Sequence, residues 1–124
     1  MGKKEKILVV DDEQNIRTLI KASLSEDYLV LEAADGDEAL NKTRTEKPNL
    51  VLLDIMMPKM DGYTTCKALR SDPHTKGIPV IMLTAIQYEL NEKLAKELGA
   101  VGYIRKPFTR QELLVAVGNA LTKH

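Results

Sequence analysis

Three acids, one hydroxyl and one amine attract attention because each stands at the end of an aliphatic run. Asp11-Asp12 follow Ile7-Leu8-Val9-Val10, Asp54 closes Leu50-Val51-Leu52-Leu53, Thr84 follows Val80-Ile81-Met82-Leu83, and Lys106 ends the short segment from Val101 to Arg105. An ionised carboxylate is costly inside an apolar core, so each acid belongs where its run meets water. Singly, none is specific: an Asp at a strand end is commonly a turn former, and Asp12 or Glu13 could serve as an N-cap or first-turn acid, stabilising a helix by about 0.5–2 kcal/mol. Recurrence changes their weight. Three carboxylates and one ammonium sum to minus two, a charge that one divalent cation neutralises. Carboxylate oxygens, completed by a carbonyl and water, suit a hard ion such as Mg²⁺. Without the ion the acids repel one another, and some should have raised pKa values. A pocket of this kind binds Mg²⁺ and, through it, a phosphoryl group.

The runs that must position these groups lack polar alternation, the habit of strands buried on both faces of a parallel sheet. A second strand, Tyr28 to Ala33, is interrupted by Glu32 and so belongs at a wet sheet edge. Helical spacing separates the strands. Ile16, Leu19, Ile20 and Leu24 share one face of a first helix, with Arg17, Lys21 and Glu26 facing away. Asp35-Gly36-Asp37 opens a short second helix around Ala39 and Leu40, which Lys47-Pro48-Asn49 breaks; Tyr63, Cys66 and Leu69 mark a third, stopped by Ser71-Asp72-Pro73. Leu90, Leu94 and Leu98 line a fourth that Gly99 stops, and Leu113, Leu114, Val117 and Leu121 are buried by the last, from about Arg110. Five strands alternating with five helices specify a doubly wound α/β domain, a three-layer (βα)5 sandwich with parallel strand order 2-1-3-4-5. In such a sheet all four tips lie on one edge.

Composition bounds the reading. At 124 residues the chain fits one domain, 1–124, and 44% apolar with 29% charged residues is a soluble balance. Eighteen basic and 18 acidic residues give a formal net charge of +0, so no overall field argues for nucleic acid or anionic membrane. The single cysteine, Cys66, excludes an internal disulfide, suits a reducing cytoplasm and reads as a small core group. No run approaches membrane-spanning length, and Met1-Gly2-Lys3-Lys4-Glu5-Lys6 lacks a hydrophobic signal core. His74, in a polar loop, reads as a solvated side chain.

Asp11-Asp12, Asp54, Thr84 and Lys106-Pro107, at this joint spacing, resemble the receiver domain of bacterial response regulators over the whole chain. The resemblance implies a flavodoxin-like fold and a Mg²⁺-dependent phosphoacceptor that assists its own phosphorylation and dephosphorylation without being an enzyme in the usual sense. Asp54 would be the phosphoacceptor. Asp12 would bind Mg²⁺ directly and Asp11 mostly through water, with Asp54 and the backbone carbonyl of Met56 completing the set. Thr84 and Lys106 match the pair that grips the phosphoryl oxygens, Tyr103 the aromatic that moves when Thr84 does, and Lys106-Pro107 a cis peptide. The face so switched would comprise the fourth helix, fifth strand and fifth helix. Met56 and Ile86, two residues beyond the phosphoacceptor and the threonine, occupy positions that tune phosphoryl lifetime; bulky and apolar, they should hinder an in-line water.

The implied partners are a histidine kinase or histidine phosphotransfer domain upstream and an unidentified protein downstream, with no direct contact to nucleic acid or membrane by this domain. The expected state is a monomer or a phosphorylation-dependent dimer in the cytoplasm. Two alternatives belong to other classes. A receiver portion of a longer regulator with a DNA-binding or enzymatic output would look the same here. A Mg²⁺-dependent aspartyl phosphatase would share the strand-end acid, but such enzymes want a second acid two residues on, where this chain has Met56.

Overall fold

A computed structural model describes residues 4–57, 60–85 and 96–122. Five parallel strands, β1 (Lys6–Val10), β2 (Leu29–Ala33), β3 (Leu50–Asp54), β4 (Val80–Ala85) and β5 (Gly102–Lys106), pair in the order β2-β1-β3-β4-β5. The described helices are α1 (Gln14–Leu24), α2 (Gly36–Glu46), α3 (Gly62–Ser71) and α4 (Arg110–Thr122).

The aliphatic runs become central strands because both faces of the sheet are covered. Residues alternate along a strand, so Ile7, Val9, Leu50, Leu52, Ile81 and Leu83 pack with Ile20 and Leu24 of α1 and Leu113 and Val117 of α4. Leu8, Val10, Val51, Leu53, Val80 and Met82 face the other way, onto Ala39 of α2 and Cys66 and Leu69 of α3. The order in which strands are added reverses at β1, with β2 on one side and β3 on the other, which makes the gap between the carboxyl ends of β1 and β3 a topological switch point, where open α/β sheets place ligand sites. Asn49 sets that register: its side chain accepts from the Lys6 N–H at 2.8 Å and its own N–H donates to the Lys6 carbonyl at 2.8 Å.

Helix boundaries follow local chemistry. Asp35 caps α2 by accepting from the Glu38 N–H at 2.8 Å, and Glu38 returns the bond to the Ala34 N–H at 2.9 Å. This helix is longer than its sparse apolar pattern suggests, and it ends at Lys47, which adopts a left-handed φ of 47°. Asp61 caps α3 through the Thr64 N–H at 2.8 Å.

Several expectations need correction. Leu19 does not join the buried face of α1; it is 53% exposed, because Ile20 and Leu24 already fill the space over the sheet. Arg17 does not face away but lies half-buried against β2. In α4 the third buried residue is Ala120, while Leu114 and Leu121 are half-buried. The fifth strand begins one residue later than expected, at Gly102, and the fourth runs one residue past Thr84, to Ala85. Of the helix expected on Leu90, Leu94 and Leu98, the first two residues lie outside the described residues; Gly99, with φ of 83°, ends the turn containing Lys96. Among the described residues no helix is long and apolar enough to cross a membrane.

Two glycines make the packing testable. A Cβ on Gly62 would sit 2.3 Å from the Asp54 carbonyl oxygen, whereas one on Gly118, inside α4, would meet nothing within 4 Å. Gly62→Ala should therefore cost about 1–3 kcal/mol by overpacking, and Gly118→Ala should gain about 0.5–1 kcal/mol from helix propensity. Urea denaturation of both variants checks the opposite signs.

Candidate functional site

Asp11 lies one residue beyond β1, Asp54 ends β3, Thr84 lies near the end of β4 and Lys106 ends β5, so the parallel register carries all four to one edge. Asp11 and Thr84 are fully buried and Asp54 nearly so, while Asp12 is exposed at the rim. Carboxylate oxygens of Asp11, Asp12 and Asp54 all lie within 4.8 Å of one another. Two buried acids with a third at the mouth form an oxygen-rich cluster of the kind a hard divalent cation uses, leaving room for water on the exposed side.

Lys106 holds this cluster together. Its Nζ donates to Asp11 Oδ2 at 2.8 Å and lies 3.4 Å from Asp54 Oδ1. Burial alone would favour a neutral amine; the hydrogen bond to Asp11 and the charges of Asp54 and Asp11 outweigh it and hold Lys106 above its ordinary range. Asp54 is less well served. Burial, then the neighbouring Asp11 charge, pushes its pKa up to about 6, against the opposing effects of Lys106 and the Met56 N–H. That N–H donates to Asp54 Oδ1 over 3.4 Å, a long bond that satisfies the oxygen poorly. Asp54 is thus a buried acid whose charge is poorly compensated. A cation meeting Asp11, Asp12 and Asp54 would supply what is missing.

Asp11 is more constrained than any other residue here. Its Oδ1 accepts from the Glu13 N–H at 2.9 Å, and its own N–H donates to the Ala33 carbonyl at 3.1 Å. Glu13 occupies the N-cap position of α1 with no side-chain cap bond, so the capping role considered for Asp12 or Glu13 is filled by neither carboxylate. The Asp11 carbonyl accepts from Arg17 Nη1 at 2.6 Å, a contact that sequence spacing did not reveal. Helical periodicity sorts residues by hydrophobicity and has no signal for a charged side chain folding back toward its own N-terminus.

Thr84 Oγ1 donates to the Ala85 carbonyl at 3.2 Å. Tyr103, half-buried on β5, pairs with Met82 and packs on the Leu53–Met82 face, the side of the sheet to which the alternation along β4 also assigns Thr84. The Arg105 guanidinium carbon lies 5.9 Å from the Tyr103 ring centroid. The Lys106–Pro107 peptide is cis, as expected. Met56 is 52% exposed beside Asp54, whereas Met57 is buried in the core; Ile86 lies outside the described residues. Cys66 is buried, as a core group should be, with its thiol pushed up by burial. His74 is exposed but does find a partner, with Nδ1 3.2 Å from Asp72.

A sequence profile described as the response regulator receiver domain matches residues 7–118. The chain is 48% identical over 110 residues to the alkaline phosphatase synthesis transcriptional regulatory protein PhoP of Bacillus subtilis, covering 88% of this chain and 45% of PhoP. It is 47% identical over 121 residues to "Probable transcriptional regulator ycf27" of Porphyridium aerugineum, covering 97% of this chain and 49% of that protein. The chain therefore spans about half the length of these curated relatives. Among solved structures, chemotaxis protein CheY4 of Vibrio cholerae superposes with a TM-score of 0.88 at 34% identity, covering 96% of this chain and 100% of that one. The receiver domain of NtrX from Brucella abortus gives 0.84 at 32% identity, covering 95% and 99%.

The raised pKa of Asp54 has a signed consequence in metal-free solution. A carboxyl that titrates near 3.8 when unfolded and about 6 when folded opposes folding once ionised, fully so above pH 6. Asp54→Asn should then be more stable than wild type at pH 7 in EDTA, by an amount on the order of 2–3 kcal/mol. The difference should shrink as pH falls from about 6 to about 4, where wild-type Asp54 takes up its proton. Chemical denaturation of both proteins across that range measures it.

Proposed function

Because the chain belongs to the family of response regulator receiver domains, we propose that Asp54 is its phosphoacceptor and that Mg²⁺ held by Asp11, Asp12 and Asp54 makes the transfer possible. The observation that carries this reading is the convergence of three carboxylates and Lys106 on one sheet edge, with burial and the Asp11 charge holding Asp54 above the ordinary carboxylate range. A carboxylate oxygen of Asp54 attacks phosphorus of the donor, the bond to the donor's leaving atom breaks, and an acyl phosphate forms. Charge on the transferring group sits on its equatorial oxygens, so catalysis is chiefly positioning and electrostatics. Lys106, already 3.4 Å from Asp54, is placed to meet one of those oxygens, and the Thr84 hydroxyl, which donates to the Ala85 carbonyl at 3.2 Å, would turn to meet another. Asp11, Asp12, Asp54 and the Met56 carbonyl would hold Mg²⁺, which would supply positive charge to offset the acids and the incoming phosphoryl group.

Tyr103 lies on the same side of the sheet as Thr84 and is half-buried, so a hydroxyl drawn toward a phosphoryl group would leave space for the ring. Only contacts that differ between two states can shift their populations, and the Thr84 bond to phosphoryl oxygen is such a contact. The surface affected is the β5–α4 face with the segment preceding it, where a downstream protein would bind. The upstream partner is a histidine kinase or phosphotransfer domain, and the setting is the cytoplasm.

A second reading concerns the whole protein. The curated relatives are transcriptional regulators twice as long as the matched region, while CheY4 is matched over its full length. Receiver chemistry is common to both; a DNA-binding output is proposed only for a longer protein containing this domain.

Incubation with Mg²⁺ and acetyl phosphate should add one phosphoryl group that peptide mapping places on Asp54, and Asp54→Asn or EDTA should abolish it. Label on another residue would end this reading. Met56, exposed and apolar beside the acceptor, should hinder an in-line water, so Met56→Asn should shorten the phosphoryl lifetime. Decay of labelled protein after donor removal measures this; an unchanged or longer lifetime contradicts it.

A further inference from the structure

Arg17 makes two hydrogen bonds that periodicity did not predict. From the second turn of α1, Nη1 donates to the Asp11 carbonyl at 2.6 Å, and Nε donates to Glu32 Oε1 on β2 at 3.1 Å. The Asp11 carbonyl is the first beyond β1 and has left the strand ladder. Among the described residues Arg17 is the partner of that carbonyl, while the preceding peptide is fixed by the Asp11 N–H bond to the Ala33 carbonyl. Glu32 in turn is anchored to its neighbours: Lys21 Nζ lies 3.8 Å from Oε2, and Lys42 donates to its main-chain carbonyl. The guanidinium is therefore clamped between an edge strand and the peptide carrying the most buried acid of the site. Planarity matters here, because Nε and Nη1 are held at a fixed separation and direction that matches the two acceptors, whereas an ammonium would have to meet both from one rotating atom.

We infer that Arg17 is a positioning residue for the Mg²⁺ site, fixing the Asp11–Asp12 peptide so that both carboxylates reach the cation without reorganising. The inference rests on the reading that these acids bind Mg²⁺. It has a sign that distinguishes it from plain electrostatics. Arg17 is a cation near a cationic ligand, so if its charge were what mattered, removing it would make the pocket more negative and tighten binding. If its bonds matter, removing them loosens the Asp11 peptide and weakens binding. Partners that orient metal ligands typically contribute 10–100-fold in affinity, enough to outweigh the charge of one partly solvated side chain.

The test is Mg²⁺ titration by calorimetry of wild type, Arg17→Met and Arg17→Lys, each well below its own unfolding temperature in EDTA. Arg17→Met keeps the packing volume and should weaken Mg²⁺ binding about tenfold or more. Arg17→Lys keeps the charge but not the fork and should fall between the two, which also provides a reading should the methionine variant fold poorly. Phosphorylation by acetyl phosphate should show the same split: a higher Mg²⁺ concentration for half-maximal rate, with the rate at saturating Mg²⁺ near wild type. Equal or tighter binding in Arg17→Met, or a Lys variant indistinguishable from wild type, overturns the inference. Failure of wild type itself to bind Mg²⁺ would instead overturn the reading on which it rests.

Discussion

Two carboxylates, Asp11 and Asp54, are held side by side in a nearly dry corner with one ammonium between them. That arrangement is unfavourable in isolation, because burial raises the energy of each charge and their proximity adds to it. It persists because the sheet dictates it. β1 and β3 are adjacent, buried on both faces and in fixed register, so their terminal acids have no freedom to separate. Stability elsewhere in the core sustains a polar edge that would not assemble alone. Added positive charge at this edge would relieve the repulsion.

Much of this was legible in the sequence. Unbroken aliphatic runs identify doubly covered strands, and strand order follows from alternation with helices. The tips Asp11-Asp12, Asp54, Thr84 and Lys106 could therefore be gathered on one edge before any coordinates. What stayed hidden was the support around them. Arg17 and Glu32 read as a solvated helix face and a wet edge, since a pattern of hydrophobicity cannot tell a free charge from a paired one. Leu19 misled for a related reason: its spacing places it near the buried stripe, but the stripe is only as wide as the sheet beneath it. Ala120 was passed over because a small side chain carries little hydrophobic signal even where close packing requires it.

Gly62 shows how tightly support and site are joined. Its N–H donates to the Ile55 carbonyl at 2.9 Å, and its lack of a side chain allows α3 to begin against the Asp54 peptide itself. Gly36 plays the same part between α2 and α3, where a Cβ would meet Thr65 Oγ1 at 2.5 Å. Helices can thus approach this sheet edge closely enough to fix its backbone.

The lone sulfhydryl has a practical implication. Cys66 is sealed between α3 and the sheet, its Sγ 3.2 Å from the Leu98 carbonyl, and burial keeps it protonated. A thiol in that condition is silent toward alkylating reagents until the helix lifts away. The native chain therefore carries its own reporter of breathing on the face opposite α1 and α4, one that needs no engineered label and leaves the reactive edge untouched.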